Sequence, residues 1–307
     1  MRIASHWSVK RYISPLYNRR IITKAFTTRN FERLVLDMET SDVTVGIPYY
    51  AGDNPEHFRS AVESVVHQTV TPRCIHLIQD GPVSKNMRRV AESFVAHKNV
   101  EKILTEDNRG LSHAINVSIL QAETEYYARM DADDICHEDR IRQQISYMEN
   151  YPSTDILGTA ALEFEKSRCE DSRALKVMPE CEDKIKRMAH YRTPFIHPSV
   201  VFRRQVFARI GLYEGRDMVD DVELWMRAVE EDVGMANLPQ PLLYYRTAGV
   251  VKRRASLSRA VREAGIRLKR PTTSPKLNLL KVSSIGFRLM PACVQEWGYR
   301  HLRRYLS

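Results

Sequence analysis

The chain lacks any apolar run approaching the roughly 18 residues of a membrane-spanning helix, and no long apolar segment with a small-residue cleavage site opens it. By those signals it is expected to be neither inserted nor exported. Cysteine is sparse: Cys74, Cys136, Cys169, Cys181 and Cys293 are scattered and odd in number. They form no CxxC pair and show no metal-ligand spacing, which suits a reducing cytoplasm. Internal repeats and low-complexity tracts are absent. Glycine is scarce where a triphosphate-binding loop would need it, because IPYYAGDNPEHF, residues 47–58, has one glycine and no basic residue before Arg59.

What is present is a folded core with unevenly distributed charge. At 307 residues and 43% hydrophobic content, the chain is long enough to bury one large core. Net charge is +9, but residues 1–41 hold eight Lys and Arg against three Asp and Glu, and residues 250–307 hold fourteen against two. The middle is therefore acidic. A nucleic-acid-binding domain should carry its positive charge on the folded surface that meets phosphate, so this distribution argues against one.

From Val43 to Met130, short β-type runs alternate with helical periodicity: VTVGI (43–47), CIHLIQ (74–79), VEKILT (100–105) and EYYARM (125–130). Such alternation is the signature of βαβ units on a mostly parallel sheet. In the first crossover Phe58, Ala61, Val62, Val65 and Val66 fall on one helical face behind the Asn54-Pro55 cap. Ser112–Gln121 and His137–Asn150 read as the next helices of this pattern. Beyond Ile156 it loosens, then recovers in SVVFRR (199–204), a helical stretch from Met218 to Glu231, and LLYYR (242–246).

The segment ARMDADDICHEDR sets Asp131, Asp133 and Asp134 directly after an apolar strand, at the carboxyl end where open α/β sheets bind ligands. Crowded carboxylates repel one another, and a divalent cation bridging to phosphate relieves that repulsion. Hard oxygen ligands favour Mg2+ or Mn2+. The alternative is an acidic loop capping the following helix. An EF-hand does not fit, since Cys136 occupies the position of its invariant glycine and Arg142 that of its glutamate.

Taken in order, VTVGIPYY, LIQDGPVS, DNRGLSHAIN, RMDADDICHEDR, HPSVVFRR and DDVELWMRA resemble the motifs of the family 2 glycosyltransferases, which have the GT-A fold. They span residues 42–246, about two-thirds of the chain. The DGP variant and basic tail look most like the amylovoran-type exopolysaccharide biosynthesis members. The resemblance implies an inverting transfer of one sugar from a nucleoside-diphosphate-sugar, taken as a UDP-sugar, to a glycan or lipid-linked glycan acceptor.

Residue by residue, it implies donor contacts from Pro48, Tyr50, Asp80, Arg109, Asp131 and Ala132, with Asp80 at the nucleotide base. Asp131 and Asp133 would be metal ligands of a DXD element, and Asp134 their support. Asp221, in the DDVELW segment, falls on the family's catalytic base, which takes the acceptor hydroxyl proton. Asp220, His197 and Trp225 would lie on the acceptor side. Ala114-Ile115-Asn116 stands where many relatives carry Ala-Arg-Asn, so a phosphate-binding arginine is missing or replaced by Arg109. No Gln-x-x-Arg-Trp follows LLYYR, which resembles a non-processive enzyme.

Without the resemblance, each residue has a plainer reading. Asp80 is a turn residue before Gly81-Pro82, and Tyr50 a packing tyrosine. Asp220 and Asp221 are ordinary first-turn acids, His197 a structural histidine, and Trp225 core. Two rival functions follow: a nucleotidyltransferase acting on sugar phosphates, or a non-catalytic scaffold recruited to membrane.

Three segments are expected: a basic extension over 1–41, an α/β domain over 42–249, and a basic amphipathic tail over 250–307. In the tail's last helix Val294, Trp297, Leu302 and Tyr305 share an arc opposite Arg300, Arg303 and Arg304. Such a helix can lie on anionic lipid, or it can pack on the core with a solvated basic face. The first case gives a cytoplasmic enzyme, peripheral on the cytoplasmic face of a membrane.

Overall fold

The computed structural model describes residues 40–165, 174–215, 219–247, 257–290, 294–295 and 298. The basic extension up to residue 39, and Trp297, Leu302 and Tyr305 with Arg300, Arg303 and Arg304 of the tail, lie outside them.

The expected βαβ pattern is realised at the start of the chain. Strand β1 (Thr40–Tyr50) leads to helix α1 (Pro55–Val66), and β2 (Thr71–Asp80) to α2 (Lys85–Phe94). Strand β3 (Val100–Thr105) leads to α3 (Leu111–Gln121), then β4 (Tyr126–Arg129). Asn54 caps α1 as its sequence predicts, its Oδ1 accepting the Glu56 and His57 N–H groups at 2.8 and 3.2 Å. The crossover helix α2, for which no expectation was formed, is capped by Ser84 and buries Met87, Val90, Ala91 and Phe94 along one stripe.

The second half is mixed. It runs β5 (Ile135–Cys136), α4 (Arg140–Asn150), β6 (Ile156–Phe164), β7 (Ala174–Lys176), α5 (Glu182–Ala189), β8 (Val201–Arg203) and α6 (Val206–Ile210). Helix α7 (Asp220–Glu230) and strand β9 (Met235–Arg246) follow, then α8 (Leu257–Leu268) and α9 (Pro275–Arg288). Among the described residues the strands form one sheet in the order β3-β2-β1-β4-β8-β6-β9-β5, with β7 on β6. Strands β3, β2, β1 and β4 are parallel, and β6 also runs parallel to β9. The β4–β8, β6–β8, β6–β7 and β5–β9 pairs are antiparallel.

Helices cover both faces. On one, Phe58, Val62 and Val65 of α1, Met87 and Val90 of α2, and Ile141, Ile145 and Met148 of α4 pack on Val43, Val45, Ile47 and Ala128. On the other, Ile115 and Ile119 of α3, Phe207 of α6, and Leu224 and Trp225 of α7 pack around Tyr127 and Phe202.

The described part of the basic tail is docked. Glu263 and Arg267 of α8 are both 1% exposed and paired at 2.7 Å, and Arg288 of α9 joins the same carboxylate. Arg270 reaches Glu223 and Glu230 of α7 at 2.5 and 2.8 Å. In α8 and α9 basic side chains thus turn inward to carboxylates, whereas the last helix, for which the lipid-surface and core-packing alternatives were drawn, lies almost wholly outside the described residues.

One close approach sets the sheet geometry. A Cβ on Gly46 would lie 2.0 Å from the Tyr127 hydroxyl, which donates a 2.9 Å hydrogen bond to Ser118 Oγ on α3. The bare glycine lets the tyrosine cross β1 and reach the helix. Gly46→Ala should destabilise the protein by about 1–3 kcal/mol in denaturant unfolding. Removing the obstructing oxygen with Tyr127→Phe in the same chain should recover part of that loss, a coupling that a double-mutant cycle measures.

Candidate active site

Parallel pairing brings the carboxyl ends of the first strands together. Tyr50 lies opposite Asp80, Asp80 opposite Thr105, and Gly46 opposite Arg129. The Asp131–Asp134 loop therefore leaves β4 beside the last residues of β1, where Pro48 is buried and Tyr50 is 44% exposed.

Asp80 is buried and holds the loop before α3. Its Oδ1 accepts the Arg109 N–H and its Oδ2 the Gly110 N–H, each at 2.9 Å. The turn that frees this carboxylate from β2 needs Gly81, whose φ is 77° and where a Cβ would meet the Asn108 backbone nitrogen at 2.5 Å. Asp80 thus places Arg109, whose side chain is exposed at the rim of the strand ends.

Asp131 meets a residue the sequence analysis did not single out. Arg129, 2% exposed at the end of β4, reaches Asp131 Oδ1 through Nη2 at 2.5 Å. Its Nε and Nη1 are buried without a hydrogen-bond partner. Burial opposes the guanidinium's charge, but Asp131, Tyr213 and Asp134 outweigh it and hold the group more firmly protonated than usual.

Ala132 is buried, and Asp133 is half-buried beside it. Asp134 is fully buried, with Oδ1 accepting the Arg246 N–H at 2.8 Å and Oδ2 left without a partner. Burial first, then the charges of Asp131 and Asp133, push its carboxyl well above the usual range. Arg246 Nε also donates to the Asp133 carbonyl at 2.9 Å, while its guanidinium stacks 4.4 Å from the Phe164 ring. The end of β9 thus clamps the acidic loop. One oxygen from each of Asp131, Asp133 and Asp134 lies within 4.8 Å of the others, an all-oxygen set that fits a hard divalent cation.

Asp220 and Asp221 open α7, Asp220 buried and Asp221 half-buried. Between them and the first cluster stands Tyr213, also absent from the sequence expectations. Asn116 fixes its backbone on both sides: Asn116 Nδ2 donates to the Tyr213 carbonyl at 2.7 Å, and the Tyr213 N–H donates to Asn116 Oδ1 at 3.0 Å. The Tyr213 hydroxyl lies 2.8 Å from His197 Nε2. Burial pushes the Tyr213 phenol far up, and it feels both Arg129 and Asp221. The phenol is thus buried beside His197 in a segment tied to α3.

Helix α7 holds this loop too, since Arg227 Nη2 donates to the Leu212 carbonyl at 2.7 Å and Nη1 to that of Ile210. His197 meets the Trp225 ring edge-on at 5.8 Å. Trp225 itself is 1% exposed and packs on Phe195 and Phe202 at 4.7 and 6.0 Å. That burial puts Trp225 in the core behind His197, as its plainer reading has it, with no surface to present to a ligand. Asp220, 6% exposed, is likewise set back.

No sequence signal marks Tyr213. Arg129 has a faint one, a charged residue ending an apolar strand immediately ahead of acids.

Comparison with known proteins gives the family. Residues 44–211 match the family described as Glycosyl transferase family 2. The chain is 34% identical to the amylovoran biosynthesis glycosyltransferase AmsE of Erwinia amylovora over 213 residues, covering 69% of this chain and 79% of that one. It is 26% identical over 278 residues to an Escherichia coli UDP-Gal:alpha-D-GlcNAc-diphosphoundecaprenol beta-1,3-galactosyltransferase, covering 87% and 99% respectively. In structure it is similar to the mannosyltransferase PcManGT of Pyrobaculum calidifontis in complex with GDP-Man and Mn2+, with TM-score 0.57 at 15% identity over 85% of this chain and 75% of that one. With the strand-end carboxylates, the matched family and these relatives in agreement, the chain belongs to glycosyl transferase family 2 and is a glycosyl-transferring enzyme of the GT-A fold.

Proposed function

We propose that the protein moves a single sugar, with inversion, from a nucleoside-diphosphate-sugar to a glycan or lipid-linked glycan acceptor during surface or exopolysaccharide assembly. The observation that supports this best is the gathering of Asp131, Asp133 and Asp134 within 4.8 Å at the strand ends, with Asp220 and Asp221 supplying a second acidic site at the start of α7. One relative named above is by name a UDP-Gal-using galactosyltransferase, and on that ground a UDP-sugar is our reading of the donor.

Asp133 and Asp131 would hold Mg2+ or Mn2+. The buried, partnerless Asp134 Oδ2 and the crowding of three carboxylates fit such an ion. When bound, the ion supplies positive charge against the departing diphosphate.

The remaining chemistry belongs to the chain. Tyr50 and the Arg109 loop held by Asp80 flank the nucleotide end of the donor. Arg129 holds Asp131 in a fixed orientation. The acceptor hydroxyl oxygen attacks the anomeric carbon while the bond from that carbon to the diphosphate oxygen breaks. The hydroxyl proton passes to Asp221, and the nucleoside diphosphate leaves with the bonding pair. His197, positioned by the Tyr213 hydroxyl, lines the acceptor side.

Asp221→Asn should lower kcat by about 100- to 10,000-fold with little change in donor KM, because general-base assistance is lost while donor contacts stay. Asp133→Ala should instead abolish Mn2+-dependent thermal stabilisation by a UDP-sugar. Normal turnover in both variants would overturn the reading.

The lipid-linked acceptor and a position on the cytoplasmic face of a membrane rest on α9. Its exposed Leu279, Val282 and Leu289 share one face, while Lys281 and Arg288 turn inward to the Arg270 carbonyl and Glu263. The apolar stripe would therefore carry most of the attachment. Leu279→Glu with Val282→Glu should at least halve co-sedimentation with anionic phosphatidylglycerol vesicles and leave transfer to a soluble acceptor unchanged.

A further inference from the structure

In the middle of β2, back along the strand from Asp80, the sheet gathers a second set of metal-ligating side chains. Cys74 and His76 are two apart on β2 and so share a face, and Glu101 of β3 lies directly opposite His76 in the parallel register. One ligand atom from each lies within 4.8 Å of the others, and His76 Nε2 is 3.8 Å from Glu101 Oε2. His76 is 2% exposed, whereas the Glu101 side chain is 68% exposed and leaves the group open to water.

The imidazole is aimed. Its Nδ1 is fixed at 2.9 Å from Ser118 Oγ on α3, and the same hydroxyl receives the Tyr127 O–H. An outer hydrogen bond of this kind sets the ring orientation in histidine metal ligands and leaves Nε2 turned to the ion. Burial, with Glu101 adding to it, pushes the Cys74 thiol up to about 12, so without an ion Cys74 is a neutral thiol bonded to the carboxylate.

We propose that Cys74, His76 and Glu101 bind one Zn2+ ion, with water as the fourth ligand. Thiolate, imidazole and carboxylate together suit zinc, while the Asp131–Asp134 oxygens suit Mg2+ or Mn2+. Tetrahedral zinc would set the nitrogen and oxygen ligands about 3.3 Å apart, a closure of about half an ångström from the separation present. On binding, the Cys74 sulfur forms the zinc bond and its proton leaves to solvent, so one proton is released per ion. The ion would staple β3, the edge of the sheet, to β2. His76 lies four residues, about 13 Å, from Asp80, so this site is separate from the donor end of the strand.

The spacing rules applied to the sequence miss such a site because its third ligand comes from a neighbouring strand. The competing account is a polar knot in which the thiol and imidazole are satisfied by Glu101 and Ser118 alone.

The test uses the full chain, dialysed against chelator and then titrated with Co2+ and Zn2+ in Mg2+-containing buffer. Wild type should show a thiolate-to-cobalt charge-transfer band that one equivalent of Zn2+ displaces, together with a Zn2+-dependent rise in Tm. Cys74→Ser should lose the band, and the exposed Glu101→Gln should weaken Zn2+ binding at least tenfold. Asp133→Ala should keep both the band and the Tm rise, which separates this site from the sugar-transfer site. Absence of the band in wild type, or its survival in Cys74→Ser, would overturn the proposal.

Discussion

The buried guanidinium of Arg129 is the group on which the rest of the site depends. It ends the short central strand β4 inside the protein, in an ion pair with Asp131. A buried charge stripped of its partner costs several kcal/mol, so Asp131 is held in place by the stability of the fold as well as by any ligand. The strand end is held from below too. Arg140, fully buried, donates through Nη2 to the Arg129 carbonyl at 2.8 Å and through Nε to Gln144 Oε1 at 2.9 Å. Gln144 in turn reaches the Leu157 and Ser199 carbonyls at 3.0 and 2.9 Å. Helix α4 therefore sets where β4 stops, and where β4 stops decides where the acidic loop begins.

The Tyr213 segment, whose hydroxyl meets His197, is placed by its neighbours. Tyr213 has no fixed secondary structure of its own, so its position comes from outside: Asn116 on α3 and Arg227 on α7 both bind the backbone around it. The same α7 presents Asp221. The Asp131–Asp134 loop and Asp221 are thus borne on different elements, while the helices α3 and α7 that hold the Tyr213 segment pack on one sheet face.

Much of the first half was legible because local signals there agree. Asn54-Pro55, the apolar stripe of α1 and the four β-type runs each specify the element observed. Helix α2 was equally readable, with Met87, Val90, Ala91 and Phe94 at helical spacing behind Ser84, but its polar composition hid it. Strand β9 was legible only from Leu242 onward, since Pro239 and Pro241 argue against a strand. The structure accommodates them with register shifts against Thr159 and Ala160 of β6. At the site, the aspartates could be read from their order along the chain. Arg129 and Tyr213 could not, because their importance lies in proximity between elements far apart in sequence.

Charge shows the same limit in another form. As a sequence property, the fourteen basic residues of 250–307 point outward to an anionic partner. In the fold, Arg267 and Arg288 converge on Glu263, and Arg270 reaches back to Glu223 and Glu230 on the acidic body. Part of that positive charge is therefore consumed in docking the tail against α7, the helix that carries Asp221. Arg267 also lies within electrostatic reach of Asp221. The tail consequently contributes to the field around the second acidic site, while the exposed Leu279 and Val282 of α9 form an apolar stripe that takes no part in that charge network.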